Sequence, residues 1–103
     1  MPSSEINVED IDRLIHEPSR LMIMAHLFVV ESADFLFLQR QTHMTPGNLS
    51  AHLSKLEEAG YVEVTKEFIE RKPHTALTLT RRGRDAFRQY SKNIKKIADS
   101  LPE

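Results

Sequence analysis

The sequence predicts a mainly α, α+β domain in which a helix-turn-helix is followed by a β-hairpin, and three observations predict it. The stretch from Met44 to Val64 holds a capped helix start, an apolar stripe, a helix stop and a strand start in one unbroken run. The apolar period changes from helical to alternating at Gly60. A last long segment then places apolar residues at spacings of three and four.

Each element has a local reason. Asn7 suits an N-cap, and Glu9, Asp10 and Asp12 favour the start of a first short helix over residues 8–16. Ile11, Leu14 and Ile15 give that helix one apolar face. Pro18 opens a second helix reaching about Glu31, apolar nearly all round and therefore expected to be buried on most sides. Ser32-Ala33-Asp34 interrupts it, and Asp34 can cap a third helix, Phe35 to Thr42, with Phe35, Leu36 and Leu38 inward. Thr45 is an N-cap and Pro46 suits the first helical position, where a missing N–H costs nothing. Leu49, Leu53 and Leu56 recur at the i, i+4, i+7 spacing of one buried face, and Gly60 supplies a left-handed stop. Two strands follow near residues 61–68 and 75–79. A polar turn over residues 69–74 joins them, and Pro73 is expected to prevent further pairing there. Thr80 caps a final helix over residues 81–100. The whole is a single winged helix-turn-helix domain over residues 1–103: helix-turn-helix about 34–60, two-stranded β-wing about 61–79, and a long C-terminal helix.

Composition excludes several alternatives. The 103 residues are 40% hydrophobic, enough for one modest core. The longest apolar run, Leu21 to Val30, is broken by His26 and is too short to span a bilayer, so no membrane partner is expected. Met1-Pro-Ser-Ser-Glu5 does not resemble a signal peptide, and a cytoplasmic protein is expected. With no cysteine there is no disulfide, thiolate or Cys-based zinc chemistry. His16, His26, His43, His52 and His74 fall at no metal-ligand spacing, and no phosphate-binding or nucleophile motif occurs. Neither an enzyme nor a cofactor is expected. The formal net charge is −1, but residues 1–60 hold four Lys/Arg against nine Asp/Glu, and residues 61–103 hold ten against six. That asymmetry permits a basic face on a neutral protein.

On a helical wheel the three leucines point inward, while Gly47, Ala51, Ser54 and Glu58 point directly away. Asn48, Ser50 and Lys55 flank that face and His52 sits at its edge. Small residues there would let a backbone approach a major groove, with Asn48 and His52 able to bond base edges. Thr45, Ser50, Ser54 and Lys55 suit phosphates better. A solvated surface helix carries similar residues. Lys66, Arg71, Lys72 and His74 gather at the hairpin tip, as a wing lying on a phosphate backbone or in a minor groove would need. Charges at a tip also serve simply to keep an edge from aggregating.

Phe87, Tyr90, Ile94, Ile97 and Leu101 form a heptad seam. They either cover the domain's own core or, with Ile11, Leu14 and Ile15, build a two-fold dimer whose recognition helices lie about one DNA turn apart.

The segments Met44–Val64, Arg71-Lys-Pro-His-Thr75 and Leu77-Thr-Leu-Thr-Arg-Arg-Gly-Arg-Asp-Ala-Phe87 together resemble the winged-helix DNA-binding domain family of small bacterial and archaeal transcriptional regulators, relatives of the MarR and ArsR groups. The resemblance covers about residues 18–90. It implies a dimeric, sequence-specific binder of double-stranded DNA, with Pro46 to Lys55 in the major groove and Lys66 to Thr75 as the wing. No ArsR-type metal ligands are carried over, and no residue demands a small-molecule effector. The expected function is a dimeric repressor. The rival expectation is a winged helix that binds only protein.

Overall fold

The computed structural model describes residues 7–102. A 3-10 turn, Val8–Asp10, leads into helix α1, Pro18–Val30. A short strand β1, Ser32–Asp34, precedes α2, Phe35–Thr42, and α3, Pro46–Glu58. Strands β2, Val62–Ile69, and β3, Lys72–Leu79, form the wing, and α4 spans Arg81–Asp99. The four helices surround a core in which Ile15, Ile23, Met24, Leu27, Leu38, Leu49, Leu56 and Leu77 are fully buried.

The caps act as their residue types dictate. Thr45 Oγ1 accepts from Asn48 N at 3.2 Å, Asp34 Oδ1 from Phe37 N at 2.7 Å, and Thr80 Oγ1 from Gly83 N at 2.9 Å. Helix α3 ends in a paired closure: Gly60 N donates to Glu57 O at 2.9 Å and Tyr61 N to Leu56 O at 2.9 Å. That pattern puts residue 60 at φ +81°, which glycine adopts without strain.

Several expectations are corrected. The first helix is only the 3-10 turn, because Asp12 Oδ1 takes the N–H groups of Leu14 at 2.9 Å and Ile15 at 3.2 Å and so competes with helix formation. The wing is part of a three-stranded antiparallel sheet of order β1-β3-β2, with Ala33 opposite Leu77 and Val62 opposite Leu79. Pro73 does not stop the ladder. The hairpin closes on the two residues Glu70 and Arg71, both at positive φ (51° and 68°), with Ile69 opposite Lys72. Phe68 and Pro73 then fall in a non-hydrogen-bonded pair, where the ladder asks no N–H of Pro73. Leu36 faces outward rather than into the core, and α1 leaves Met22, Val29 and Val30 exposed.

The apolar residues assigned to a dimer seam divide into three groups. Ile15 and Tyr90 lie inside the subunit's own core, so their side chains are already covered before any partner arrives. The Tyr90 hydroxyl is also 2.8 Å from His16 Nδ1. Ile11, Leu14, Phe87 and Ile94 pack partly against the same core, whereas Ile97 and Leu101 remain exposed. Residues 65–73 and 95–102 are exposed throughout, and the described chain measures 59 × 25 × 21 Å.

One junction fixes how α3, the wing and α4 meet. Thr80 N donates to Tyr61 O at 3.0 Å and Thr80 Oγ1 donates to Gly60 O at 2.5 Å. Gly83 sits so close that a Cβ on it would lie 2.1 Å from Tyr61 O. The Tyr61 hydroxyl meanwhile donates to Asp12 Oδ2 at 2.5 Å, tying the N-terminal segment to the base of the wing. Burial first, then the hydrogen bond and charge of Asp12, push the Tyr61 phenol up to about 12, with Arg82 opposing.

Two outcomes follow for stability. Gly83→Ala should destabilise by about 2 kcal/mol or more through overpacking against backbone, lowering Tm by roughly 10 °C in a thermal melt. A rise in Tm, as helix propensity alone would give, would show that α4 slides away without cost. Tyr61→Phe should cost about 1–2 kcal/mol in urea titrations at neutral pH. Because the folded phenol titrates near 12 and an unfolded one near 10, the wild-type advantage should hold below pH 10 and vanish as pH climbs towards 12. An advantage that grew over that range would remove the Tyr61–Asp12 bond as its source.

Candidate DNA-binding surface

Burial of Leu49, Leu53 and Leu56 decides which side of α3 faces out. Helix α2 stops at His43, which takes the left-handed conformation at φ 57°, and Thr45 starts α3 after a very short turn. Gly47, Asn48, Ser50, Ala51, Ser54, Lys55 and Glu58 are all exposed on α3, together with Thr45 and Pro46 before them. A Cβ added at Gly47 would meet nothing within 4 Å, so this end of the helix is open to close approach.

The wing faces the same side. Cross-strand partners share a face, and faces alternate along the strand. Lys66 and Thr75 are partners, and with Ser50, Ser54, Glu57 and Val64 they line an open groove of about 410 Å³ between α3 and the wing. The next pair, Glu67 with His74, lies on the opposite face. Arg71 is in the turn and Lys72 is beside it, both exposed. Sequence reasoning grouped His74 with the other tip residues, but the strand register separates it from Lys66.

His52 also departs from expectation. Its ring turns towards the start of α1, with Nδ1 3.1 Å from Arg20 Nη1 and 4.0 Å from Glu17 Oε1. An arginine only donates, so Nδ1 can accept in this contact only when it carries no proton. Arg20 is itself fixed, its Nε donating to Leu14 O at 2.6 Å. Glu17 Oε1 accepts from Arg20 N at 2.8 Å, and that backbone bond chiefly holds the Glu17 carboxyl below its usual range; burial opposes, while the charges of His52 and Arg20 assist. His52 therefore braces α3 against α1, while Asn48, Ser50 and Ala51 keep the free outer face. Arg20 and Glu17 carried no local signal for this, since their partner lies in a different helix.

Basic residues are also frequent on α4. Arg84 and Arg88 each place a guanidinium 5.3 Å from the Phe28 ring centre, and Phe28 and Phe87 stack with centroids 5.2 Å apart. Those contacts join α4 to α1. Among the described residues no group of three or more His, Cys, Asp or Glu could hold a metal ion, and no helix is long and apolar enough to cross a membrane.

Comparison with known proteins agrees with this arrangement. A family model described as a winged helix DNA-binding domain matches residues 19–98. An uncharacterised protein of Methanocaldococcus jannaschii is 34% identical over 89 residues, which is 86% of this chain and 97% of that protein. The solved structure of a transcriptional regulator homologue from Pyrococcus horikoshii OT3 is similar with a TM-score of 0.85 and 30% identity, over 89% of this chain and 91% of that one. The fold is shared more distantly with reduced AbfR, solved bound to DNA, at a TM-score of 0.66 and 19% identity, over 92% of this chain and 66% of that one. The chain belongs to the winged-helix DNA-binding domain family and is a DNA-binding regulator, not an enzyme.

Proposed function

We propose that the chain acts in the cytoplasm as a homodimeric, sequence-specific repressor that occupies an operator and excludes polymerase. The observation that carries this reading is the open outer face of α3 beside a wing whose Lys66 faces the same groove. An exposed helix with Gly47 and Ala51 at its N-terminal half fits a major groove closely. Asn48, exposed on α3, reads a base edge, and the exposed Thr45, Ser50, Ser54 and Lys55 meet phosphates. Lys66, Arg71 and Lys72 anchor the wing on the backbone beside it. Ile97, left exposed on α4, and Leu101, exposed just past its end, supply the apolar part of a two-fold interface with help from the half-buried Ile11, Leu14, Phe87 and Ile94.

The assay is fluorescence anisotropy with DNA from upstream of the chain's own gene and with random DNA, across salt concentrations. A preference of about 10³-fold or more for the upstream fragment supports the reading. Absence of binding to either at low salt overturns it. Within that assay, Arg71→Ala should weaken binding alike on all sequences and flatten the salt slope by about one unit. An unchanged slope would remove Arg71 from the phosphates. Asn48→Ala should instead cost about 1–3 kcal/mol at a single base position, and a loss spread evenly over sequences would deny it a base contact.

A further inference from the structure

The α3-facing surface of the wing ends in an apolar pair. Phe68 and Pro73 are cross-strand partners on the same face as Lys66 and Thr75, one step nearer the tip. Phe68 leaves 77% of its surface exposed, and Pro73 is exposed beside it. The fold does not call for an aromatic there. The two-residue turn and the ladder back to Val62–Leu79 already fix the register, and Phe68 is not part of the core or packed against it.

The surroundings indicate what covers this ring. Lys66 shares the face of Phe68 and Arg71 stands with Glu70 in the turn beside it, while Glu63, Glu67 and Lys72 fall on the opposite face of the ribbon. An apolar edge flanked by cations on a narrow two-stranded tip matches a slot with apolar base edges between two phosphate walls. Because Phe68 shares its face with Lys66, it is turned to the side on which α3 presents Ser50 and Ser54.

We propose that Phe68, backed by the rigid ring of Pro73, is a wedge that enters the minor groove with the wing and opens one base step, bending the duplex. The inference rests on the DNA-binding reading above and adds a source of specificity that needs no hydrogen bond. Apolar side chains inserted between base pairs unstack and kink DNA, and a stacked aromatic ring offsets part of that cost. Pyrimidine–purine steps open most readily, so the wedge selects a TA or CA step beneath the wing.

The test uses short duplexes selected from a random pool by the wild-type chain. Each carries 2-aminopurine in place of one adenine within the wing's footprint, and dyes at the two ends report bending by energy transfer. With the wild-type chain, 2-aminopurine fluorescence should rise at one TA or CA step and the ends should approach. Phe68→Ser should bind about tenfold more weakly, with neither the fluorescence rise nor the bend. Its Tm should be unchanged, since the ring is exposed. Phe68→Leu, which keeps an apolar wedge, should retain part of both signals. The proposal is overturned if no adenine brightens with the wild type, or if Phe68→Ser binds and bends DNA as the wild type does. It is also overturned if Phe68→Ser instead abolishes self-association in sedimentation while leaving DNA binding intact, which would assign the ring to a protein interface. A pool that yields no bound duplex would defeat the DNA-binding reading itself, and the wedge with it.

Discussion

The contact on which the rest of the structure depends is the approach of α4 to the carbonyl of Tyr61. At that point the end of α3, the base of both wing strands and the start of α4 converge. Gly60 turns the chain out of α3, Tyr61 O accepts from Thr80 N, and Thr80 bonds back to Gly60 O while capping its own helix. Only a residue without a Cβ fits at position 83. One small volume therefore sets the angle of the wing relative to α3, and so whether Lys66 and the α3 face address the same ligand. Displacing α4 by a fraction of an ångström would be felt at the wing tip, because that tip has few contacts of its own to correct its position.

A neutral protein can still present DNA with a cationic surface if its acids are placed elsewhere. Strand alternation does this on the wing, putting Lys66 towards α3 while Glu63 and Glu67 face away. On α3, Glu57 lines the groove and Glu58 lies beyond it, near the helix C-terminus, away from the open end at Gly47 and Asn48. The N-terminal end also carries the positive end of the helix dipole, which favours an anion. Net charge is thus a poor guide to this surface, and the distribution by face is a better one.

Much of the architecture was legible in the sequence because it is encoded locally. Asp34, Thr45-Pro46, Gly60 and Thr80 mark element ends by chemistry that acts within a few residues, and α2, α3 and α4 start where those signals place them. The parts that were not legible depend on distant partners. Strand β1 is three residues long and exists only because β3 lies beside it. The Glu70–Arg71 turn lacks the glycine or asparagine that usually announces a two-residue hairpin, so the strands run nearer the tip than the sequence suggests. On the candidate surface, the α3 periodicity located Asn48, Ser50 and Ser54 correctly on the exposed side. It put His52 at the edge of that face, and there Arg20 captures it.

That capture has a mechanical consequence. Helix α3 is held to the body on its inner side by leucines, which resist separation but are indifferent to small rotations about the helix axis. The Arg20–His52 contact is directional and lies near the edge of the exposed face, so it restricts that rotation. Arg20 is in turn pinned through Leu14 O to the segment whose Asp12 receives the Tyr61 hydroxyl. Helix α3 is therefore referenced at two points to one N-terminal segment: at its middle turn through Arg20, and just past its C-terminus through Tyr61. A segment that forms almost no regular structure of its own thus orients the helix, which accounts for three of its residues, Asp10, Asp12 and Leu14, each using an oxygen to hold a side chain from elsewhere in the chain.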